Sequence, residues 1–204
     1  MSSRILTLPN FLTVLRMMMI PVFVSLLFYQ RFGWALAVFV IAGLTDGLDG
    51  LLARALKQKS DLGRILDPIA DKLLLVTAFI VLSMRAILPL PLPRHFPVPF
   101  WVTAAVISRD IFIIVGSASI YIVTGFRDFR PSLLGKINTV IQICAIIAIL
   151  IAAQFPSISG YLPTVYTTVF AAALFSGVHY IFHASRIMNE GKTDREVSEN
   201  EPKL

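Results

Sequence analysis

The chain has 204 residues, of which 56% are hydrophobic and 15% charged, and its formal net charge is +6 at pH 7. Soluble domains contain about 25% charged residues, so this composition excludes an ordinary soluble domain and predicts an integral membrane protein. The single cysteine, Cys144, excludes an intramolecular disulfide and a thiolate metal cage. No basic segment stands apart from the apolar ones, which argues against nucleic-acid binding.

Six apolar stretches are long enough to cross a membrane, which takes about 20 residues. They are residues 10–29, 34–55, 66–88, 99–124, 134–154 and 161–184. Helices satisfy their own backbone hydrogen bonds in lipid, so the six stretches predict an all-α bundle of six transmembrane helices. Residues 1–188 are expected to form this membrane domain, and the polar tail 189–204 is expected to be disordered.

The basic residues outside these stretches or close to their ends are distributed unequally between the two sides of the predicted membrane. One side carries twelve lysines and arginines and the other carries three, namely Arg31, Arg85 and Arg94. The side with more positive charge usually faces the cytoplasm. Both termini and the second and fourth connections are therefore predicted to be cytoplasmic, where basic residues also contact anionic lipid.

The first predicted helix begins near Pro9 and Asn10, and no secretory cleavage site follows it. The second and third carry four aspartates in otherwise apolar surroundings. Asp46 and Asp49 are three residues apart, and Asp67 and Asp71 are four apart, so each pair shares one face of a helix. A short connection makes the two helices antiparallel neighbours, which allows the four carboxylates to converge near the inner surface.

Four converging carboxylates need a positive partner, because they cannot all stay ionised without one. Hard divalent cations prefer oxygen ligands, and this cluster lacks the histidine or cysteine that zinc favours. The pattern predicts Mg²⁺ or Mn²⁺, and two such ions would suit phosphoryl transfer from a diphosphate. Gly50 allows a ligand to approach the backbone, and Arg54 offers a planar donor group for a phosphate or a base.

The later elements contribute cations rather than further carboxylate clusters. Arg109 lies in the fourth stretch and Lys136 at the start of the fifth, with Arg127 and Arg130 in the connection between them. We expect these four to bind a phosphate of an acceptor, although loop arginines are also typical headgroup anchors. Lys72, next to Asp71, either neutralises an aspartate or contacts substrate. The three histidines do not join the cluster: His95 lies in an outside turn, and His179 and His183 are interpreted as packing residues.

The aspartates belong to a longer pattern that reads "DGLDGLLAR", "ALKQKSDL" and "GRILDPIAD" in succession. It resembles the signature of the CDP-alcohol phosphatidyltransferases, with every fixed position filled. The similarity extends from "LPNFLTVLR" before the motif to "ISRD" and "GKINT" after it. The resemblance implies a six-helix membrane homodimer with a cytoplasmic site. It also implies transfer of a phosphatidyl group from CDP-diacylglycerol to an alcohol, with release of CMP.

The resemblance also implies roles for individual residues of this chain. Asp46, Asp49 and Asp67 match metal ligands, and Asp71 matches a ligand that is also taken as the general base. The positions that match contacts to CDP-diacylglycerol are Asn10, Thr13, Gly50, Arg54 and Ser60. Spacing alone does not separate the base role of Asp71 from its ligand role.

The acceptor is the open question within this family. A basic pocket suits glycerol 3-phosphate, giving phosphatidylglycerophosphate, and also phosphatidylglycerol, giving cardiolipin. Bacterial phosphatidylglycerophosphate synthases usually show Gly-Lys-x-Lys-Thr where this chain has "GKINT", so Asn138 replaces a lysine. "SRD" in place of Arg-Glu also resembles the CMP-forming cardiolipin synthases. The absence of an organelle presequence favours a bacterial cytoplasmic membrane, where glycerol 3-phosphate is the commoner acceptor, and the sequence leans slightly toward it.

A different class remains open on the sequence, namely a cation or proton transporter that uses the aspartates as carriers. A transporter is expected to distribute its charged residues through the depth of the membrane. Here they cluster at one end, beside residues typical of phosphate binding. The pattern therefore favours the enzyme.

Overall fold

The computed structural model describes the backbone of residues 8–55, 61–85, 95–124 and 133–200, and the side chains of 13–45, 70, 72–85, 95–117 and 133–182. All regular elements in these ranges are helical, which confirms the predicted all-α class for the described residues. The helices are α1 (Leu8–Phe28), α2 (Phe32–Ala55), α3 (Asp61–Leu82), α4 (Phe100–Thr124), α5 (Leu133–Gln154) and α6 (Leu162–Asn200), with a short 3₁₀ helix at Pro156–Tyr161.

The turn between α1 and α2 shows why these helices lie side by side. Gln30 adopts a left-handed conformation with φ 56°, which ends α1. Its N–H donates to the carbonyl of Leu27 at 3.0 Å, and the N–H of Arg31 donates to Leu26 at 2.8 Å. This pair of hydrogen bonds satisfies carbonyls that a helix end leaves open. The chain therefore reverses within three residues, and α2 returns against α1.

Contacts between helices define two ends of the bundle. At one end, the backbone N–H of Val98 donates to Leu82 at 3.1 Å, which places the start of α4 beside the end of α3. At the same end, Gly33 of α2 lies against Gln154 of α5. We call this the turn end. The opposite end, where α2 ends and where α3 and α5 begin, is called the aspartate end.

The apolar core draws buried side chains from all six helices. The rings of Phe23 and Phe39 meet with centroids 5.8 Å apart, and Phe79 is fully buried in the same cluster. Leu82, Ile146, Ile149 and Leu150 complete the centre of this core. Large aromatic side chains on the outer faces of α4 and α6, such as Phe112 and Phe175, are exposed instead. An apolar exterior of this extent is typical of a surface that contacts lipid.

Three helical segments are long and apolar enough to cross a membrane, judged by length and composition within the described residues. They are Phe100–Ser117, Leu133–Gln154 and Pro156–Phe182. Thr13–Phe28, Phe32–Thr45 and Lys72–Leu82 are apolar but shorter. These segments support a membrane protein. Six complete spans and cytoplasmic termini stay predictions.

Two helix boundaries differ from the sequence prediction. α3 runs from Asp61 to Leu82 rather than from 66 to 88, because its first turn is polar and an apolar window omits it. α6 continues to Asn200, so the backbone of residues 189–200 is helical, which differs from the disorder expected from the polar sequence. A helix that is already formed extends at low cost, since only nucleation is unfavourable. Opposite charges four residues apart, Lys192 with Glu196 and Arg195 with Glu199, also suit a helix.

Candidate functional site

The backbone places the four aspartates at matching positions on consecutive helices. Asp49 lies six residues before the end of α2, and Asp67 lies six residues after the start of α3. At about 1.5 Å per residue, each is about 9 Å from its helix end. Asp46 and Asp71 lie about 14–15 Å from those ends by the same measure. Convergence of the four carboxylates stays a prediction, because the aspartate side chains lie outside the described set.

Several other predicted site residues are located by backbone alone or lie outside the described ranges. Asn10 falls in the first turn of α1, and Gly50 and Arg54 fall in the last turns of α2. Ser60, Arg127 and Arg130 lie outside the described residues. Their contacts with substrate stay predictions, as does the metal-ligand geometry.

α1 brings two buried polar residues towards the aspartate end. Thr13 and Arg16 lie one turn apart in the first half of α1, and both are completely or almost completely buried. α1 packs against α2 and α3, which carry the aspartates. Buried polar residues in a predicted membrane helix are functional candidates. The position of Thr13 is compatible with its predicted nucleotide contact.

Arg109 has partners inside the protein. Its Nη1 donates to Asp110 Oδ1 at 2.7 Å, and its Nη2 donates to Ser176 Oγ of α6 at 2.6 Å. Asp110 also accepts hydrogen bonds from Lys72 Nζ of α3, at 3.0 and 3.2 Å. One carboxylate therefore lies between two cations, and it links α3, α4 and α6. Sequence reasoning missed Asp110, although an aspartate in a predicted span is itself a signal of function.

This charged group, Lys72, Arg109 and Asp110, borders a cavity between α3 and α4 with a volume of about 620 Å³. The remaining lining residues are leucine, valine and isoleucine. Apolar walls lower the local dielectric, which strengthens the ion pairs and raises the cost of breaking them. Lys136, the other described residue predicted to bind the acceptor, is exposed at the start of α5.

α5 contributes two buried amide side chains at the aspartate end. Asn138 and Gln142 are 1% and 0% exposed, and no hydrogen bond to either side chain is found within the described part of the chain. They are four residues apart and share a face of α5. The sequence singled out Asn138 only as a departure from a lysine, and it missed Gln142. The sequence signal that could have identified this pair is the presence of two amide side chains four residues apart in an otherwise apolar helix.

The described side chains include no group of three or more acidic, histidine or cysteine residues that could hold a metal ion. The predicted cluster of four aspartates lies outside that set. His95 is in the turn before α4, and its carbonyl accepts a hydrogen bond from the Tyr166 hydroxyl at 3.1 Å. This contact uses the main chain of His95 and links the turn to α6.

α4 and α6 approach closely near the aspartate end, where the hydroxyls of Ser117 and Tyr180 are 2.9 Å apart. We expect Gly116→Ala to lower the unfolding free energy by about 1–3 kcal/mol. A Cβ at Gly116 would lie 2.7 Å from Cε1 of Tyr180. Thermal unfolding in detergent measures the effect.

Gly43→Ala is the matched control, because a Cβ there meets nothing within 4 Å. Removing a glycine from an open position within a helix is expected to stabilise the protein by about 0.5–1 kcal/mol. The two variants should therefore shift the unfolding temperature in opposite directions. Equal shifts would show that the approach of α4 to α6 at Gly116 is not restrictive.

Comparison with known proteins supports a specific family. The sequence model described as CDP-alcohol phosphatidyltransferase matches residues 6–179. A cardiolipin synthase (CMP-forming) from Streptomyces coelicolor is 35% identical over 144 residues, covering 68% of this chain and 62% of that protein. The cardiolipin synthase (CMP-forming) of Rattus norvegicus is 34% identical over 196 residues, covering 85% of this chain and 61% of the rat protein.

A third relative differs in both name and coverage. The CDP-diacylglycerol–glycerol-3-phosphate 3-phosphatidyltransferase of Blochmanniella floridana is 32% identical over 195 residues, covering 92% of this chain and 96% of that protein. The chain thus spans about three fifths of the two cardiolipin synthases and nearly the whole of the third relative. The names of these relatives divide between the two acceptors that the sequence left open.

Proposed function

Because the chain belongs to the CDP-alcohol phosphatidyltransferase family, we propose that it transfers the phosphatidyl group of CDP-diacylglycerol to a glycerol-type alcohol and releases CMP. The observation that carries this proposal is the complete aspartate motif, whose members occupy matching positions at the facing ends of α2 and α3. The proposed setting is a six-span homodimer in a bacterial cytoplasmic membrane, with the aspartate end facing the cytoplasm.

The reaction breaks the phosphoanhydride bond of CDP-diacylglycerol and forms a phosphoester bond to the acceptor. A hydroxyl oxygen of the acceptor attacks the phosphorus that bears diacylglycerol, and the bond from that phosphorus to the oxygen of CMP breaks. The electron pair of that bond leaves with CMP. Asp71 accepts the hydroxyl proton as the general base, a role that suits a carboxylate held next to the reacting oxygen. Asn10, Thr13, Gly50, Arg54 and Ser60 hold the CDP moiety.

The donor set suits a hard divalent cation, because four carboxylates present only oxygen atoms. Asp46, Asp49, Asp67 and Asp71 would hold Mg²⁺ or Mn²⁺, and two ions are proposed. When bound, such ions neutralise charge on the diphosphate and on the departing CMP.

Glycerol 3-phosphate and phosphatidylglycerol both fit this function as acceptors. The hydrogen bonds of Arg109 favour phosphatidylglycerol. Glycerol 3-phosphate carries a dianionic phosphate, which needs cationic partners such as the predicted Arg109, Lys136, Arg127 and Arg130. Arg109 already donates to Asp110 and Ser176, which reduces its capacity for a phosphate. Asn138 further replaces a lysine with a neutral amide. Phosphatidylglycerol, which carries a singly charged phosphodiester, is therefore a strong second candidate.

Release of CMP by the purified protein tests the proposed function directly. We expect CMP when CDP-diacylglycerol, Mn²⁺ or Mg²⁺ and either glycerol 3-phosphate or phosphatidylglycerol are present, and none after chelation with EDTA. Identification of the lipid product separates the two acceptors. Absence of CMP with every alcohol, combined with cation uptake into vesicles containing the protein, would instead establish the transporter alternative.

A further inference from the structure

Asn138 and Gln142 are buried amides with unused hydrogen-bonding capacity. Each amide carries two N–H donors and one carbonyl acceptor. Neither side chain makes a hydrogen bond in the described regions, although both are almost completely shielded from solvent. Burying an amide without a partner is unfavourable, and native proteins rarely keep two such groups side by side. A site that binds a polar ligand would supply the missing partners.

The position of the pair relates it to the proposed reaction centre. Asn138 lies five residues after the start of α5, and Gln142 lies nine residues after it. At about 1.5 Å per residue, they lie about 8 and 14 Å from that helix end. α5 packs against both α2 and α3, and its start lies at their aspartate end. The two amides therefore occupy the same range of depth as the four aspartates.

The chemistry of the amides selects the kind of group that they bind. A hydroxyl both donates and accepts a hydrogen bond, so it satisfies an amide carbonyl and an amide N–H together. A phosphate dianion has no donor and would leave both carbonyl oxygens unsatisfied. It also prefers charged donors, which this pair lacks. The face formed by Asn138 and Gln142 is thus suited to a neutral polyol.

We propose that Asn138 and Gln142 bind the glycerol headgroup of phosphatidylglycerol, holding its central hydroxyl so that the terminal hydroxyl is directed at the reacting phosphorus. This proposal rests on the function proposed above and names the acceptor of the same site. The pair acts as a specificity determinant for the acceptor and takes no part in bond making or proton transfer.

Apolar replacements of similar size test the proposal, because they remove hydrogen bonds while filling the same space. We expect Asn138→Leu and Gln142→Met to reduce kcat/KM for phosphatidylglycerol by about tenfold each, the loss of one good hydrogen bond. The KM for CDP-diacylglycerol should stay unchanged. The unfolding temperature in detergent should stay equal or rise, since each variant removes a buried polar group without a partner.

An acceptor without the central hydroxyl distinguishes recognition from a structural role. Phosphatidyl-1,3-propanediol keeps the terminal hydroxyl but lacks the central one. The wild type should use it about a hundredfold less well than phosphatidylglycerol, because the contacts of the central hydroxyl with both amides are lost. Each single variant should distinguish the two acceptors only about tenfold, because one of the two contacts is already absent. Gln154→Met, at the exposed turn end of α5, is the matched control and should behave as the wild type.

Each contrary result has a separate meaning. Wild-type protein that releases no CMP with phosphatidylglycerol or glycerol 3-phosphate would refute the proposed function and this inference with it. Wild-type protein that uses only glycerol 3-phosphate would refute the acceptor named here while leaving the function intact. Variants that keep full activity, that lose activity equally on both lipid acceptors, or that unfold at clearly lower temperature would refute the recognition role of the amides.

Discussion

Asp71→Asn is expected to lower the rate of CMP release by about a thousandfold or more. Loss of a general base alone lowers a rate by about 10²–10⁴. The amide has nearly the same shape as the carboxylate, but it has no negative charge and does not accept a proton at neutral pH. Both roles proposed for Asp71 are lost together. The measurement is CMP release from CDP-diacylglycerol at saturating acceptor and metal, with thermal unfolding followed in parallel.

Asp61→Asn is the matched control for this prediction. Asp61 is also an aspartate of α3, but it begins the helix and is not part of the motif. Its substitution removes only a favourable charge at the helix amino terminus, which is worth about 0.3–1 kcal/mol. CMP release should change little. If Asp71→Asn kept activity comparable to Asp61→Asn, the assignment of Asp71 as base and ligand would be wrong.

Asp110→Ala is expected to have the largest effect on stability, a loss of about 3–5 kcal/mol in unfolding free energy. The substitution removes the only carboxylate that contacts Arg109 and Lys72 among the described side chains. Arg109 is 7% exposed, so water does not replace the lost partner, and the neighbouring cavity walls are apolar. Lys72, whose side chain is 33% exposed, can turn towards the lipid headgroups or water. Equilibrium unfolding in mixed detergent micelles measures the loss.

Two further variants separate the charge effect from a packing effect. Lys72→Met should cost less than about 1 kcal/mol, because a partly exposed ion pair contributes little. The double variant Arg109→Met with Asp110→Leu should recover much of the loss, since replacing a buried pair with apolar residues is often neutral. If the double variant were as unstable as Asp110→Ala, lost packing rather than an uncompensated charge would explain the effect.

The sequence alone was enough to establish the helical membrane class, the aspartate motif and the family. Apolar length identifies helices without tertiary information, because backbone polar groups in lipid must be satisfied within each helix. The family can be identified from the fixed spacing of Asp46, Asp49, Asp67 and Asp71, because those residues lie on two consecutive helices. Their relation therefore depends on helical periodicity and one short connection.

Tertiary structure alone decided which polar residues from distant helices are partners. The sequence placed Arg109 among the residues that bind an acceptor phosphate, whereas the fold gives it Asp110 and Ser176 as hydrogen-bond partners. The amino-acid sequence also contained no signal that pairs Lys72 with Asp110, and it did not single out Gln142. Hydropathy and spacing report which face a residue shares within its own helix, but not which helix packs against that face. That choice follows from the packing of α3, α4, α5 and α6, and it determines whether a buried polar group is satisfied by the protein or remains open to a ligand.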